Sequence, residues 1–296
     1  MDDDGEVPPR RAIDEAPPQA YFVGSAIFHY LGPAFAVLLF ARVDVLGVAW
    51  LRIASAALIF AVWRRPWRRL PDLDAGGARL LIAWGGVLAL MNVCFYEAIA
   101  RLPLATVAAI EFVPVIVLAA AGARTRRNAC ALLLAVAGVS LLTDVRIAGG
   151  GAGFALAFCN AVLFALYIVL GDRVAKRDAV GGIDGLATAM LVAVVVVMPL
   201  GGLAAAHALG DPVAIAAGVG VGISSSVIPY VCDQLALARL ARATYALLVS
   251  LLPATAAVIG VLVLAQIPAW SEVAGICFVI AGVALHRATR EALAES

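Results

Sequence analysis

The chain has 296 residues, is 64% hydrophobic and carries a formal net charge of +1. So apolar a composition excludes an ordinary soluble domain, and so small a charge gives no sign of a nucleic-acid partner. The five cysteines all lie in apolar runs without a CxxC pair, and the chain contains no GxxxxGK[ST] motif. Neither a metal site, a disulfide framework nor an ATP-driven motor is therefore indicated, and no cofactor is expected.

Apolar stretches of about 20 residues, the length that crosses a ~30 Å hydrocarbon core, follow one another along the chain. Residues 1–19 are acidic and contain prolines, and we expect them to form a disordered cytoplasmic tail without a cleavable signal peptide. Residues 288–296 are predicted to form a second cytoplasmic tail. Membrane-spanning helices are predicted at residues 20–41, 46–63, 79–99, 103–122, 127–143, 151–171, 186–207, 212–236, 241–265 and 269–287.

Lysine and arginine collect at one end of these predicted spans. If the spans alternate in direction, 16 of the 21 basic residues fall in the segments on the side that holds both chain ends, and Arg79, at the mouth of the third span, joins them. Cytoplasmic loops of membrane proteins are enriched in these residues. Both termini of a multi-pass protein in the cell (inner or plasma) membrane are therefore predicted to be cytoplasmic.

Two segments of the chain are similar to each other. Residues 100–114 and 238–253 both begin Ala-Arg-Leu, contain Ala-Thr and end at a proline. This similarity indicates two five-helix repeats, at residues 20–143 and 150–287, and because five is odd the second is inverted in the membrane. The predicted fold is an all-α integral membrane protein with ten transmembrane helices in two inverted repeats, which is typical of secondary transporters with a central site.

Glu111 is the strongest candidate for a functional residue. It lies about eight residues into the fourth predicted span, hence ~12 Å below the outer surface at 1.5 Å per residue. A charge at the bilayer centre costs on the order of 2.5–3.5 kcal/mol on insertion scales, so a charged residue in a span requires an explanation. A carboxylate there can bind the ammonium of an amino acid or amine, or exchange a proton. The alternative is a protonated Glu hydrogen-bonded to a neighbouring helix.

Arg52 and His29 are further ionisable groups within spans. The fork of Arg52 can hold a substrate carboxylate bidentately, or it can lock helices together by pairing with Glu97 or Asp44. His29 can carry a proton, or it can be a packed neutral side chain. Glu97 and Arg101 are four residues apart, so an ion pair on one helix face is predicted for them.

Polar residues of the second repeat complete the predicted site. Asn160 and Tyr167 are seven residues apart and share a helix face, and together with Ser250 they are predicted to contact the substrate. Prolines within spans remove backbone donors and so favour helix breaks beside a cavity. The residues predicted to gate the site are Pro33, Pro114, Pro229, Asp233 and Pro253.

Several short motifs resemble one family of membrane proteins. They are Leu51–Ala54, ProLeuAlaThrValAlaAlaIleGluPhe at 103–112, AlaLeuTyrIleValLeuGlyAspArg at 165–173, IleProTyr at 228–230, AlaLeuAlaArgLeu at 236–240 and Pro253-Ala254. In order and spacing they make residues 21–287 resemble EamA-type members of the drug/metabolite transporter superfamily, most closely the threonine/homoserine exporter group. That group tends to carry Lys where Val37 stands, Glu where Leu252 stands and Gly-Glu where Ala265-Gln266 stand.

Repeat and resemblance together predict a secondary transporter, not an enzyme, that exports small polar metabolites by alternating access. The resemblance implies amino acids similar to threonine and homoserine as the cargo, and proton coupling is a hypothesis that depends on Glu111. The alternatives are export of another metabolite or drug, such as an amine or nucleobase-like solute, and a non-transporting membrane scaffold. The expected partners are the small-molecule substrate and the lipid bilayer. The GxxxG spacing of Gly218 and Gly222 predicts close helix packing, and it allows a homodimer without requiring one.

Overall fold

The computed structural model describes residues 17–68, 71, 73–114, 117, 125–144, 151–175, 177, 183–237 and 251–292. All regular secondary structure in these ranges is helical. The α-helices are α1 (Pro18–Leu39), α2 (Val45–Arg64), α3 (Ala75–Ile99), α4 (Leu104–Glu111), α5 (Arg126–Asp144), α6 (Gly151–Ala175), α7 (Ile183–Val197), α8 (Leu203–Ala208), α9 (Pro212–Gly222), α10 (Ile228–Leu237), α11 (Leu252–Leu264) and α12 (Trp270–Ala292).

Six helical segments of the described chain are long and apolar enough to cross a membrane. They are Gln19–Leu39, Val45–Arg64, Ala75–Ile99, Gly151–Val174, Ile183–Ala206 and Pro212–Cys232. Lipid hydrocarbon offers no hydrogen-bond partners to the backbone. Long apolar sequences therefore cross bilayers as helices, in which the backbone groups bond to each other. Two shorter apolar helices, Leu252–Leu264 and Trp270–Leu285, accompany them.

Described helices fall in each of the ten predicted intervals. α4 ends at Glu111, and the described part of α11 begins at Leu252. The predicted spans 103–122 and 241–265 are therefore described only in part. Elsewhere the observed ends lie within a few residues of the predicted ones.

Three aspartates begin helices by capping them. Asp44, Asp74 and Asp211 precede α2, α3 and α9, and each carboxylate accepts hydrogen bonds from backbone amides two or three residues later. The first amides of a helix have no partner within it, so such a side chain fixes where the helix starts.

Two of the long helical segments contain a π-helical turn. Met198–Gly202 joins α7 to α8, and Ile223–Val227 joins α9 to α10. Pro199 lies within the first turn and Pro229 is the second residue after the second turn, and proline cannot supply the amide that a regular helix uses. Pro33 behaves differently, because α1 runs through it to Leu39. The predicted break at Pro33 is wrong: the lost amide does not end a helix whose neighbouring turns stay packed.

Helices from the two halves of the chain pack against each other. α3 packs on α6 and α7, α1 and α2 pack on the α9–α10 segment, α4 packs on α11, and α5 packs on α12. Glycines allow the closest approaches: a methyl group on Gly85 would lie 2.6 Å from the carbonyl oxygen of Ala189. A methyl group on Gly222 would lie 2.8 Å from the carbonyl oxygen of Arg52.

The GxxxG segment also packs within the molecule. A methyl group on Gly218 would lie 2.9 Å from the side chain of Leu51, on the same helix α2 that Gly222 contacts. The close packing predicted from this spacing is therefore confirmed, with α2 as the partner helix.

Ion pairs lie at both ends of the helix bundle. Arg64 contacts Asp184 at 2.7 Å and Arg177 contacts Asp74 at 3.0 Å, at the end where α1 and α7 begin and α2 ends. We call this the arginine-rich end. At the opposite end Arg42, which follows α1, contacts Asp211 at 3.2 Å.

Candidate functional site

A cavity of about 320 Å³ lies among α1, α2, α3, α4, α6, α7, α10 and the start of α11, where Leu252 lines it. It extends to Phe22 and Leu186, which lie near the starts of α1 and α7, and so it reaches towards the arginine-rich end. Most of its wall is apolar, and its polar lining residues are Ser25, His29, Arg52, Asn92, Glu111, Tyr167, Ser225, Ser226 and Tyr230.

Arg52 lies on the cavity wall, and neutral groups hold it there. Its Nη1 donates to Oδ1 of Asn92, its Nη2 donates to the carbonyl of Ser225 at 3.3 Å, and its guanidinium lies 5.5 Å from the ring centre of Tyr96. Asn92 in turn donates to the carbonyl of Leu88 at 2.8 Å. None of these partners carries a negative charge, so the contacts fix the position of the guanidinium without neutralising it.

Pro229 explains why the Ser225 carbonyl is free to accept from Arg52. In a regular helix that carbonyl would accept the amide of the residue four positions later, which is Pro229 and has no N–H. The π-helical turn and the proline therefore expose a backbone acceptor at the cavity. Arg52 occupies this acceptor.

Glu111 also lies on the cavity wall, and it is 7% exposed. Nδ2 of Asn160 donates to its Oε1 at 3.1 Å. Asn160 itself is completely buried and does not line the cavity, so it acts on Glu111 from behind. A carboxylate with one fixed donor retains acceptor positions for a further cationic or hydrogen-bonding group.

His29 and Tyr167, which were both predicted to be site residues, line the cavity. The rings of His29 and Tyr30 meet edge to face at 5.1 Å. Tyr167 stacks on Trp84 at 5.4 Å, and Trp84 donates its indole N–H to the Tyr167 carbonyl at 3.1 Å. The structure therefore brings His29, Arg52, Glu111 and Tyr167 to one cavity.

The other predicted site residues are distributed differently. Pro229 lines the cavity, whereas Pro33 and Pro253 are buried away from it, and Pro114 lies beyond the end of α4. Ser250 lies outside the described residues, and so does the side chain of Asp233.

The prediction that Arg52 pairs with Glu97 or Asp44 is wrong. Glu97 forms an ion pair with Arg101, as predicted from their spacing, and Asp44 caps α2. The residues that do hold Arg52 were missed, although an amide at Asn92 inside an apolar span was a visible signal. No sequence signal marks the Ser225 carbonyl, because it becomes available only through helix geometry.

Comparison with known proteins gives the family. Residues 151–287 match the EamA-like transporter family. The chain is 30% identical over 264 residues to the threonine/homoserine exporter RhtA of Salmonella typhimurium, which covers 84% of each chain. It is 32% identical over 245 residues to the threonine/homoserine exporter RhtA of Escherichia coli, which covers 79% of each. The chain belongs to the EamA-like transporter family.

A solved structure supports the fold of this family member. A protein crystal structure matches it with a TM-score of 0.59 and 17% identity, covering 94% of this chain and 99% of the other. At that identity the likeness concerns the fold alone. Family membership confirms the resemblance found in the motifs around Arg52, Glu111 and Pro229, and it makes the chain a membrane transporter of the drug/metabolite type. The cavity between its helices is thus the candidate substrate site.

Proposed function

We propose that this transporter exports neutral amino acids similar to threonine and homoserine by alternating access. The observation that carries the proposal is that Arg52 and Glu111 lie on the wall of one cavity between the apolar helices. An amino acid is a zwitterion, and it needs a cationic group for its carboxylate and an acidic group for its ammonium. The relatives named above are exporters of threonine and homoserine, which are amino acids of this kind.

The geometry of Arg52 suits a carboxylate. Its two terminal nitrogens each make one contact, and its buried Nε has no hydrogen-bond partner in the described structure. A guanidinium has five N–H donors in a fixed fork, so donors remain for two carboxylate oxygens. Because Asn92 and Ser225 already fix the fork, little side-chain freedom is lost when the substrate binds.

Glu111 is the residue that would couple amino-acid export to proton movement in this proposal. When ionised, its carboxylate can accept the substrate ammonium while Asn160 holds one oxygen. When the site is empty the same group can take a proton, so amine and proton exclude each other on one carboxyl group. One proton moving inward across ~100 mV supplies ~2.3 kcal/mol in addition to the pH gradient, which is enough to drive a modest export gradient.

Alternating access follows from the proposed fold of ten spans in two inverted repeats, at residues 20–143 and 150–287. Two corresponding contacts support it. Gly85 lies against the carbonyl of Ala189, and Gly222 lies against the carbonyl of Arg52. Gly85 and Gly222 are 137 residues apart, and so are Arg52 and Ala189. Inverted repeats give such pairs because each contact recurs on the other side of a two-fold axis in the membrane plane.

Two further pairs have the same separation of 137 residues. Gly138 and Gly275 face each other across α5 and α12, where a methyl group on either would lie within 2.8 Å of the other's carbonyl oxygen. Asp74 and Asp211 are both N-caps, and each contacts an arginine that follows a helix of the other repeat. Both termini are cytoplasmic in this proposal, so the cavity extends towards the cytoplasm and has its substrate-loading orientation.

The remaining predicted hinges belong to the same proposal. Pro114 lies three residues beyond the end of α4, and Pro253 is the second residue of the described part of α11; α4 and α11 pack on each other. Together with Pro229 they would let half-helices tilt around the cavity while Arg52 and Glu111 stay in place.

Counterflow in proteoliposomes tests the function. Vesicles loaded with unlabelled threonine should take up labelled threonine or homoserine through the parent protein. Glu111→Gln and Arg52→Gln should each raise the half-saturating concentration roughly 10- to 100-fold, because hydrogen bonds to charged groups contribute about 1.5–3 kcal/mol. Glu97→Gln and Arg101→Gln are matched controls, since their exposed pair lies outside the cavity, and both should stay within about 2-fold of the parent.

Two results would contradict the proposal at different levels. Absence of threonine and homoserine counterflow, with a folded and reconstituted parent, removes the amino-acid assignment. Counterflow and export that ignore both pH gradient and membrane potential remove the proton coupling alone.

A further inference from the structure

We propose that the cavity accepts neutral amino acids with large apolar side chains, branched or aromatic, at least as well as it accepts threonine. This inference rests on the proposed amino-acid export and names the substrate class of the same site.

The polar and apolar parts of the cavity are separated along the helix axes. His29 and Arg52 lie near the middle of α1 and α2, and Glu111 is the last residue of α4; the amino and carboxylate groups of a substrate would bind among them. Nearer the arginine-rich end the wall consists of side chains such as Phe22, Leu186 and Met190. A bound amino acid with its charged groups on Arg52 and Glu111 would place its side chain in this apolar part.

The cavity also has aromatic and flexible walls suited to a large apolar side chain. Phe112 and Phe164 meet edge to face at 6.3 Å on one side of the cavity, and Met190 lies on α7. Aromatic rings favour edge-to-face contacts with a further ring, and methionine adapts its shape to apolar partners. Phe22 and Phe112 are both 4% exposed, so packing fixes the positions of their rings.

Few hydroxyl groups line this part of the cavity. The Ser25 hydroxyl donates to the carbonyl of Pro229 at 3.3 Å, and Tyr230, whose ring packs on Phe60, adds a hydroxyl to an otherwise aromatic wall. The cavity volume of about 320 Å³ corresponds to roughly ten water molecules at ~30 Å³ each, so a threonine side chain would leave much of it wet. A larger apolar side chain would displace that water and contact the wall instead.

Selectivity should then rise with apolar side-chain size. One additional methylene in an apolar pocket improves binding by about 10-fold or more, and such a pocket rejects an isostere that adds a hydroxyl by no more than about 100-fold. Threonine therefore stays a substrate under this inference, while leucine, methionine and phenylalanine bind better.

Competition in the proteoliposome assay tests the inference. We would measure the concentrations of unlabelled threonine, leucine, methionine and phenylalanine that halve uptake of labelled threonine, and then follow labelled phenylalanine directly. In the parent, leucine and phenylalanine should compete at concentrations at or below that of threonine. Phe164→Ala should raise the value for phenylalanine about 10-fold and change that for threonine less than about 3-fold.

Phe158→Ala is the matched control, because Phe158 is a phenylalanine on the same helix that is 37% exposed and does not line the cavity. It should change neither value. Met190→Thr is a second variant in case Phe164→Ala fails to fold, and it should favour threonine over phenylalanine relative to the parent.

The outcomes separate the two proposals. Threonine counterflow with no competition from leucine, methionine or phenylalanine overturns this inference and leaves the proposed function intact. Absence of counterflow with any of the four amino acids would contradict both this inference and the proposed function. Phenylalanine counterflow that Phe164→Ala and Met190→Thr leave unchanged also overturns it, because the side chain would then lie elsewhere.

Discussion

In the proposed site, each ionisable group is held by a neutral partner that would not compete with a substrate. Asn92 and a backbone carbonyl hold Arg52, and Asn160 holds Glu111. A buried ion pair between Arg52 and Glu111 would neutralise both, and substrate would have to break it first. Neutral partners would instead keep Arg52 and an ionised Glu111 in place and available to the zwitterion of the proposed function.

Asn160 offers a direct test of this arrangement. Replacing it by leucine of similar size removes the donor to Glu111 while the cavity wall stays unchanged, since Asn160 does not line it. We expect Asn160→Leu to raise the half-saturating threonine concentration by about 10-fold, which corresponds to one hydrogen bond to a charged group. Phe158, which is 37% exposed on the same helix and does not line the cavity, supplies the control, Phe158→Leu, which should behave as the parent. Unchanged kinetics in Asn160→Leu would show that Glu111 does not need its partner.

Much of the site could be predicted from the sequence because the signal is a polar residue in an apolar run. Arg52, Glu111, His29 and Tyr167 were found in this way, and all four line the cavity. Their partners could not be predicted, because partner choice depends on how each helix is rotated. The spans are apolar all round, so no polar stripe marks the side that faces a neighbour.

At the scale of the helices, single glycines decide whether two spans can approach. Gly222 lies against the backbone of α2, whereas a methyl group on Gly220 would meet nothing within 4 Å. Gly222→Val should therefore destabilise the protein by about 1–3 kcal/mol through overpacking, while Gly220→Val should leave its thermal unfolding temperature in detergent nearly unchanged. Gly85→Val and Gly86→Val form a second matched pair on α3, with the same contrast in surroundings. Equal effects at Gly220 and Gly222 would contradict the observed α2–α9 packing.

The capping aspartates should give the helix ends a pH dependence. The pKa of Asp211 is lowered, chiefly because the backbone amide of Ala214 donates to its carboxylate, with further contributions from the amide of Val213 and from Arg42. A lowered pKa means that the ionised cap stabilises the fold above the unfolded value of about 3.9, and that this stabilisation is lost as the pH falls through the lower folded value.

Two substitutions of Asp211 distinguish its contribution as a helix cap from its contribution as the ion-pair partner of Arg42. Asp211→Ala should lower the unfolding temperature at pH 7 more than Asp211→Asn does, because asparagine still caps a helix but does not attract Arg42. The difference between parent and Asp211→Ala should shrink once the pH falls below about 4. A difference that stays constant from neutral to acidic pH would show that the carboxylate charge plays no part.

The helices themselves were predictable, but their interruptions were not. Apolar length located the helices to within a few residues, since any such segment in a bilayer must bond its own backbone. Pro33 and Pro229 look alike in the sequence, yet α1 passes through Pro33 while a π-helical turn precedes Pro229. The π-helical turn around Pro199 had no counterpart in the prediction. The prolines differ in their effect because their neighbouring helices pack differently, and the sequence of a single span does not contain that information.

At the scale of the whole molecule, the interfaces between the two halves of the chain carry the proposed motion. α3 packs on α6, and α1 packs on α9 and α10. In the proposed repeats these two interfaces correspond to each other. If one repeat rocks against the other during alternating access, these interfaces must shift in every transport cycle. A covalent bond across one of them should therefore stop transport.

Two native cysteines lie across the α3–α6 interface and make that experiment possible without engineering the interface. The sulfur atoms of Cys94 and Cys159 are 3.6 Å apart, and a rotamer change would bring them to the ~2 Å of a disulfide. Copper-phenanthroline should oxidise the pair, and a protease site inserted between residues 144 and 151 should give two fragments that separate only after reduction. Cys94→Ser and Cys159→Ser should each abolish the link, whereas Cys130→Ser and Cys277→Ser should retain it. We expect oxidation to inhibit threonine counterflow in the parent but not in Cys94→Ser, with recovery on adding a thiol reductant. Efficient cross-linking with full counterflow would show that α3 and α6 move as one body, and the rocking would then have to occur at another interface.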